Sequence, residues 1–290
     1  MLELGILLPA ILNGLATGAV YALVALGLTL IYGVLHIINF AHGSLLMIAL
    51  YGVYFLNTLL GLDPYVTLLI VPPALFVLGY ALQRGVIGQA SHGKDENVLL
   101  VTLGIAIVLD NLALFFWHAD TRTIDTPYSF STWNLGLAAI AVPKVIAFIA
   151  ALVIFALLWL LMARTDLGKA VRALAKERHG AKLVGIDVNH IFAMSFGIGT
   201  ACVGAAACLL LPSFYVAPGV GQVFVLIAFT VVVLGGMGSF AGALIGGLII
   251  GVTESVGSLF LGESLGQIGI FVIFIAVLLF RPTGLLGHRV

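Results

Sequence analysis

Apolar residues dominate this chain in stretches of about twenty, broken by short polar links. Uninterrupted apolar runs of about 18 residues or more read as membrane-spanning helices. Nine segments follow: Pro9–Tyr32, Leu45–Leu60, Tyr65–Leu82, Asn97–Trp117, Val145–Ala163, Ile191–Leu211, Gln222–Leu234, a span running from a glycine-rich turn at 235–242 to Phe260, and Leu265–Phe280. The 34–44 link and the short 222–234 segment both suit re-entrant pieces, so the prediction is an all-α polytopic bundle of eight or nine spans. A transmembrane barrel is excluded, because barrel strands alternate in hydrophobicity instead of running continuously apolar.

Small residues recur at helical spacing. Gly14 and Gly18 form a small-xxx-small pair, as do Gly238, Gly242 and Gly246, and then Gly247 and Gly251. Such ridges let helix backbones approach closely. Pro72–Pro73 is expected to break or kink the third span. NFAHGSLLMIAL (39–50) and SFAGALIGGLII (239–250) hint at an internal repeat of the kind transporters use.

The longest polar run is 164–190, RTDLGKAVRALAKERHGAKLVGIDVNH, which carries Arg164, Lys169, Arg172, Lys176, Arg178 and Lys182, half of the chain's 12 Lys and Arg. Short loops rich in Lys and Arg stay in the cytoplasm. Ala170, Leu174, Ala181 and Val184 predict one amphipathic helix over 169–184, with Arg172, Lys176 and His179 on the other side and a stop at Gly185. Such a helix between two spans suits docking on a separate cytoplasmic protein; its bland alternative is a solvated or headgroup-facing loop. Arg84–Glu96 (with His92 and Lys94) falls on the same side, the 118–143 loop on the other. The N-terminus is therefore expected outside and the C-terminus in the cytoplasm. MLELGILLPAILNGL carries Glu3 and no basic n-region, so it reads as a first span and not as a cleavable signal.

Composition agrees: 62% of residues are hydrophobic, 8% charged, and the mean hydropathy is +1.24, against about 25% charge in a soluble domain. Net charge is zero, so nothing suggests nucleic acid. Cys202 and Cys208 lie inside an apolar segment and read as inert buried thiols. There is no nucleophile elbow and no metal-binding His-Glu-x-x-His, so an enzyme is not expected and no metal is implied. The phosphate-binding G-x-x-x-x-G-K-[ST] is also missing. If the protein pumps, the ATP is bound by another polypeptide, and this chain itself needs no cofactor.

Ionisable groups inside a membrane are costly and serve as functional candidates by default. Asp110 and Glu254 qualify, each with an equally strong structural reading as a hydrogen-bonded group between helices. Neither has a basic partner inside the membrane in the sequence reading. Asn39 and His42, beside Gly43 at a span start, are further candidates for a substrate path. A path without fixed charges suits small, net-neutral cargo.

The stretches NGLATGAVYALVALGLTLIYGVLHIINFAHGSLLM (13–47), TDLGKAVRALAKERHGAKLVGID (165–187), VLGGMGSFAGALIGGLIIG (233–251) and FRPTGLLG (280–287) resemble the permease subunits of Liv-type ABC importers for branched-chain amino acids, more the LivH-type than the LivM-type. Relatives of that family carry urea, short amides and other amino acids. The resemblance implies a single permease domain over 1–290 in a bacterial inner membrane, paired with a homologous permease. Two cytoplasmic ATPases would dock below, and a periplasmic binding protein would deliver substrate. It also implies that 164–190 is the coupling loop, with Arg172, Ala173, Ala175, Lys176, Ala181 and Gly185 in the contact region. ABC importers carry Glu-Ala-Ala, three residues, then Gly there; Arg172-Ala173-Leu174-Ala175 departs from this, with Gly185 standing in for the glycine. The competing reading is a self-sufficient secondary transporter or channel for small neutral solutes.

Overall fold

The computed structural model describes residues 2–90, 95–134, 139–281 and 283–287; His92, Lys94 and Pro282 lie outside them. The helices in order are α1 (Leu2–Leu35), α2 (Ala41–Leu60), α3 (Val71–Leu82), the single turn α4 (Gly88–Ala90), α5 (Asp95–Trp117), α6 (Val142–Arg164), α7 (Asp166–Lys176), α8 (Arg178–Leu183), α9 (Val188–Leu210), α10 (Val220–Gly235), α11 (Phe240–Leu261) and α12 (Glu263–Phe280). A short antiparallel hairpin pairs β1 (Thr132–Asn134) with β2 (Ala139–Ala141). Among the described residues seven helical stretches are long and apolar enough to cross a membrane, and Val220–Gly235 and Ile268–Phe280 are shorter apolar helices. The chain is a polytopic helical membrane protein.

α1 is the hub. Its residues from Ala19 to Leu35 are almost all buried, and α11, α9, α6 and α10 pack around it. The closest approach is made by glycines. A Cβ on Gly18 would meet the Gly247 carbonyl at 2.6 Å, and one on Gly14 would meet the Gly251 carbonyl at 2.7 Å. The second ridge serves a different pair: Gly242 lies against Gly235 and Gly246 against Val231, closing the α10–α11 hairpin.

Pro72 and Pro73 break the expected third span instead of kinking a continuous helix. They occupy the first turn of α3, after a 3₁₀ turn at Val66–Leu69. A missing N–H costs nothing in that position, because the first-turn N–H groups have no partner within the helix.

Two helices start inside the bundle. After α1 ends at Leu35, residues 36–40 fold back, and His42 in the first turn of α2 reaches the Val24 carbonyl at 2.9 Å. Val24 lies about 16 Å back along α1 at 1.5 Å per residue. Likewise the 214–219 link turns inward, so that Phe224, one turn into α10, packs edge-on against Tyr21 of α1 with 6.0 Å between ring centroids. The first turns of α2 and α10 then cross at Gly43 and Gly221, each glycine lying where the other's side chain would stand. Interrupted backbone at this depth is tolerated where it is buried in protein or lines a cavity.

Candidate functional site

The basic segment forms two helices, not one. The apolar spacing that predicts a continuous 169–184 helix is interrupted at Glu177, whose backbone is extended (φ −157°, ψ 105°) and whose carboxylate accepts from the His179 N–H at 3.0 Å, capping α8. α7 is capped by Thr165, whose hydroxyl accepts from the Gly168 N–H at 3.3 Å. On its surface Lys169 bridges Asp166 at 2.9 Å, which holds the fully exposed Asp166 carboxyl below its ordinary range.

Gly168, Val171, Leu174 and Ala181 face the bundle. A cavity of about 260 Å³ lies under α7, lined by Gly33 and Val34 of α1, Trp159 of α6, and Arg172 and Ala175. Arg172 and Arg178 tie the two helices down: the Arg172 guanidinium donates to the Met162 carbonyl, and that of Arg178 to the Leu35 carbonyl at 2.6 Å. Arg178 also sits over the Phe192 ring, 5.3 Å from its centroid.

The outward face includes Arg172, Ala173, Lys176, Lys182, Leu183, Val184 and Gly185, all exposed. Val184, expected on the buried stripe, is 76% exposed together with Leu183, whereas Ala181, expected in the contact region, is buried at 4% in this chain. The break at Glu177 turns α8 so that its last residues leave the bundle. Gly185 has φ +88° and open space around its Cα, a left-handed stop that glycine adopts without strain.

The four polar residues expected on a substrate path fall in three places. Asn39 and His42 sit together in the turn that starts α2. The Asn39 carboxamide oxygen accepts from the Ala41 N–H at 3.1 Å, and His42 donates through Nε2 to Val24; both side chains are buried. Asp110 on α5 accepts from the Gln222 amide at the start of α10, at 3.4 Å.

Glu254 is elsewhere. It lines a cavity of about 730 Å³ between α1, α6, the 213–219 link, α10 and α11, at the opposite end of the bundle from the basic helices. Tyr21 and Lys144 line the same cavity, and both lie within electrostatic reach of the Glu254 carboxylate. The acid thus has a basic neighbour, and the cavity carries fixed charges of both signs. Lys144 escapes the sequence reading because it sits one residue before the expected start of a span, where a lysine reads as an interfacial anchor.

A backbone bridge roofs this end: the Arg122 N–H donates to the Val216 carbonyl and the Val216 N–H to that of Arg122, both at 2.9 Å. The Arg122 guanidinium lies over the Tyr54 ring at 5.6 Å and does not pair with Asp120 or Asp125 among the described residues. Nearby, Tyr128 donates to Asp63 at 2.7 Å, and burial with that contact pushes its phenol up.

Among the described residues no cluster of His, Cys, Asp and Glu suits a metal ion. The family described as "Branched-chain amino acid transport system / permease component" matches residues 10–279. The high-affinity branched-chain amino acid transport system permease protein BraD of Pseudomonas aeruginosa is 34% identical over 294 residues, covering 97% of this chain and 96% of its own. The LivH permease protein of Escherichia coli is 31% identical over 300 residues, with the same coverage, 97% and 96%. The solved structure of PsaBC from Streptococcus pneumoniae in complex with Fab matches with a TM-score of 0.52 at 18% identity, over 95% of this chain and 91% of that one. That likeness concerns the fold alone.

Proposed function

The chain belongs to the branched-chain amino acid transport system permease family, and we propose that it is the membrane subunit of an ABC importer that brings branched-chain or other small neutral amino acids into the cytoplasm. The observation that carries this reading is the extent of the match, residues 10–279 of 290. ATP is bound and hydrolysed by two separate cytoplasmic subunits, a homologous permease completes the pore, and a periplasmic binding protein supplies the cargo. The membrane is the bacterial inner membrane. The chain forms one domain with its N-terminus outside and its C-terminus in the cytoplasm, an orientation that puts Arg164–Lys182 on the cytoplasmic side.

In this reading α7–α8 is the coupling element. Arg172, Ala173, Lys176 and Gly185, joined by Leu183 and Val184, meet the ATPase, while Ala175 and Ala181 hold the helices to the bundle. When ATP draws the ATPases together, the pull passes through the Arg178–Leu35 contact into α1, the helix on which α9, α10 and α11 pack. Alternating access then opens and closes the far-end cavity.

The test is leucine uptake into proteoliposomes holding the permeases, ATPases and binding protein. Uptake is expected to need ATP inside and all partners. Accumulation by this chain alone, driven by an ion gradient, would replace the reading with a secondary transporter.

A further inference from the structure

We propose that Glu254 and Lys144 hold the two ends of an α-amino acid zwitterion in the far-end cavity, Glu254 taking the ammonium group and Lys144 the carboxylate. This inference rests on the importer reading and names the groups that recognise its cargo.

Both side chains line one cavity, yet they form no ion pair with each other among the described residues. Both side chains are part-buried, and opposite charges that share one cavity without direct pairing leave a space that a dipolar molecule completes. A charge desolvated at such a site is tolerated only when it is paired and hydrogen-bonded, and an amino acid supplies the missing counter-charge to both groups at once. Tyr21 lines the cavity within electrostatic reach of Glu254 and adds a phenol to the site. Ser255 and Ser258, one residue and about one turn further along α11, add hydroxyls to the same wall.

The rest of the lining is mixed, with Thr17, Ser213 and Tyr215 among apolar residues. Val220, Val223, Phe224 and Ile227 of α10 contribute an apolar stretch of the lining, suited to a hydrophobic side chain. The volume of about 730 Å³ falls in the range of small-molecule sites. An uncharged solute such as urea or a sugar would leave both charges unmatched.

The test uses the intact reconstituted transporter with its ATPase and binding-protein partners, comparing wild type with Glu254→Gln, Lys144→Gln, Lys144→Arg and the Glu254→Gln/Lys144→Gln double variant. Each Gln variant is expected to lower leucine uptake at subsaturating substrate at least tenfold while ATPase co-purification is unchanged. Lys144→Arg is expected to keep at least half of the uptake, and the double variant to be no better than the weaker single one. If the charges merely neutralise each other, the double variant recovers uptake, and the proposal is overturned. Single variants within twofold of wild type would overturn it too, while leaving the importer reading intact. A wild-type complex that transports no amino acid would overturn the importer reading and this inference with it. Should Glu254→Gln fail to accumulate, Lys144→Gln against Lys144→Arg carries the same comparison alone.

Discussion

The guanidinium of Arg178, the first residue of α8, donates to the carbonyl of Leu35, the last residue of α1, at 2.6 Å. The acceptor is one of the carbonyls that a helix leaves without an intrahelical partner at its C-terminus, where a cation is also favoured by the helix dipole. The surface helix and the central helix are thereby joined end to end.

Removing this link should uncouple the transporter. A hydrogen bond from a charged donor contributes about 1.5–3 kcal/mol, enough to hold α8 in register with α1. Arg178→Ala is expected to reduce ATP-driven uptake about tenfold or more while ATPase and permease still co-purify. Uptake assays on matched amounts of complex decide it, and unchanged transport would remove Arg178 from the coupling route.

The exposed apolar pair at the tip of α8 makes a separate prediction. Leu183 and Val184 are each 76% exposed and flanked by Lys182 and Gly185, so nothing in the fold needs their hydrophobicity. Leu183→Glu/Val184→Asp should leave the thermal stability of the detergent-purified chain within about 0.5 kcal/mol per site, as for ordinary surface changes. Co-purification of the ATPase should fall sharply. A drop in stability without loss of binding would mean that the pair packs inside this chain's own fold.

At the crossing of α2 and α10, Gly43 and Gly221 leave no room for a side chain on either helix. Gly43→Val forces the two first turns apart. Overpacking of a close-packed site costs about 1–3 kcal/mol or more, and here both sides of the contact are backbone, which cannot yield by a rotamer change. The melting temperature in detergent should fall by several degrees, and the far-end cavity, roofed by the start of α10, should lose transport first.

Gly242 tests the α10–α11 hairpin in the same way, since its neighbour is Gly235. Gly242→Leu is expected to prevent stable accumulation of the chain itself, visible as lost monodisperse protein on size exclusion even without partners. Normal recovery of the chain would show that the hairpin can splay without cost.

Much of this was legible in the sequence, because a bilayer leaves few ways to bury twenty apolar residues. The long runs at 97–117 and 145–163 become α5 and α6 nearly residue for residue. The 34–44 link holds the break before α2, and 222–234 becomes the body of the short helix α10. What was hidden depends on contacts distant in sequence. Glu177 is an ordinary helix former, and only its capping of α8 breaks the helix there. Lys144 becomes interesting once Glu254, 110 positions later, is seen in the same cavity. The glycine ridges announced close packing but not partners: Gly14–Gly18 found Gly247–Gly251, whereas Gly242 and Gly246 turned to α10.

The most direct test of the account is a mild-detergent pull-down of the tagged chain from its native membranes, with the eluate assayed for ATPase activity. An ATPase should co-purify with the intact chain and be lost when 166–183 is replaced by a Gly/Ser linker of equal length. A folded chain that elutes without ATPase activity, or one that keeps its ATPase after the replacement, would contradict it.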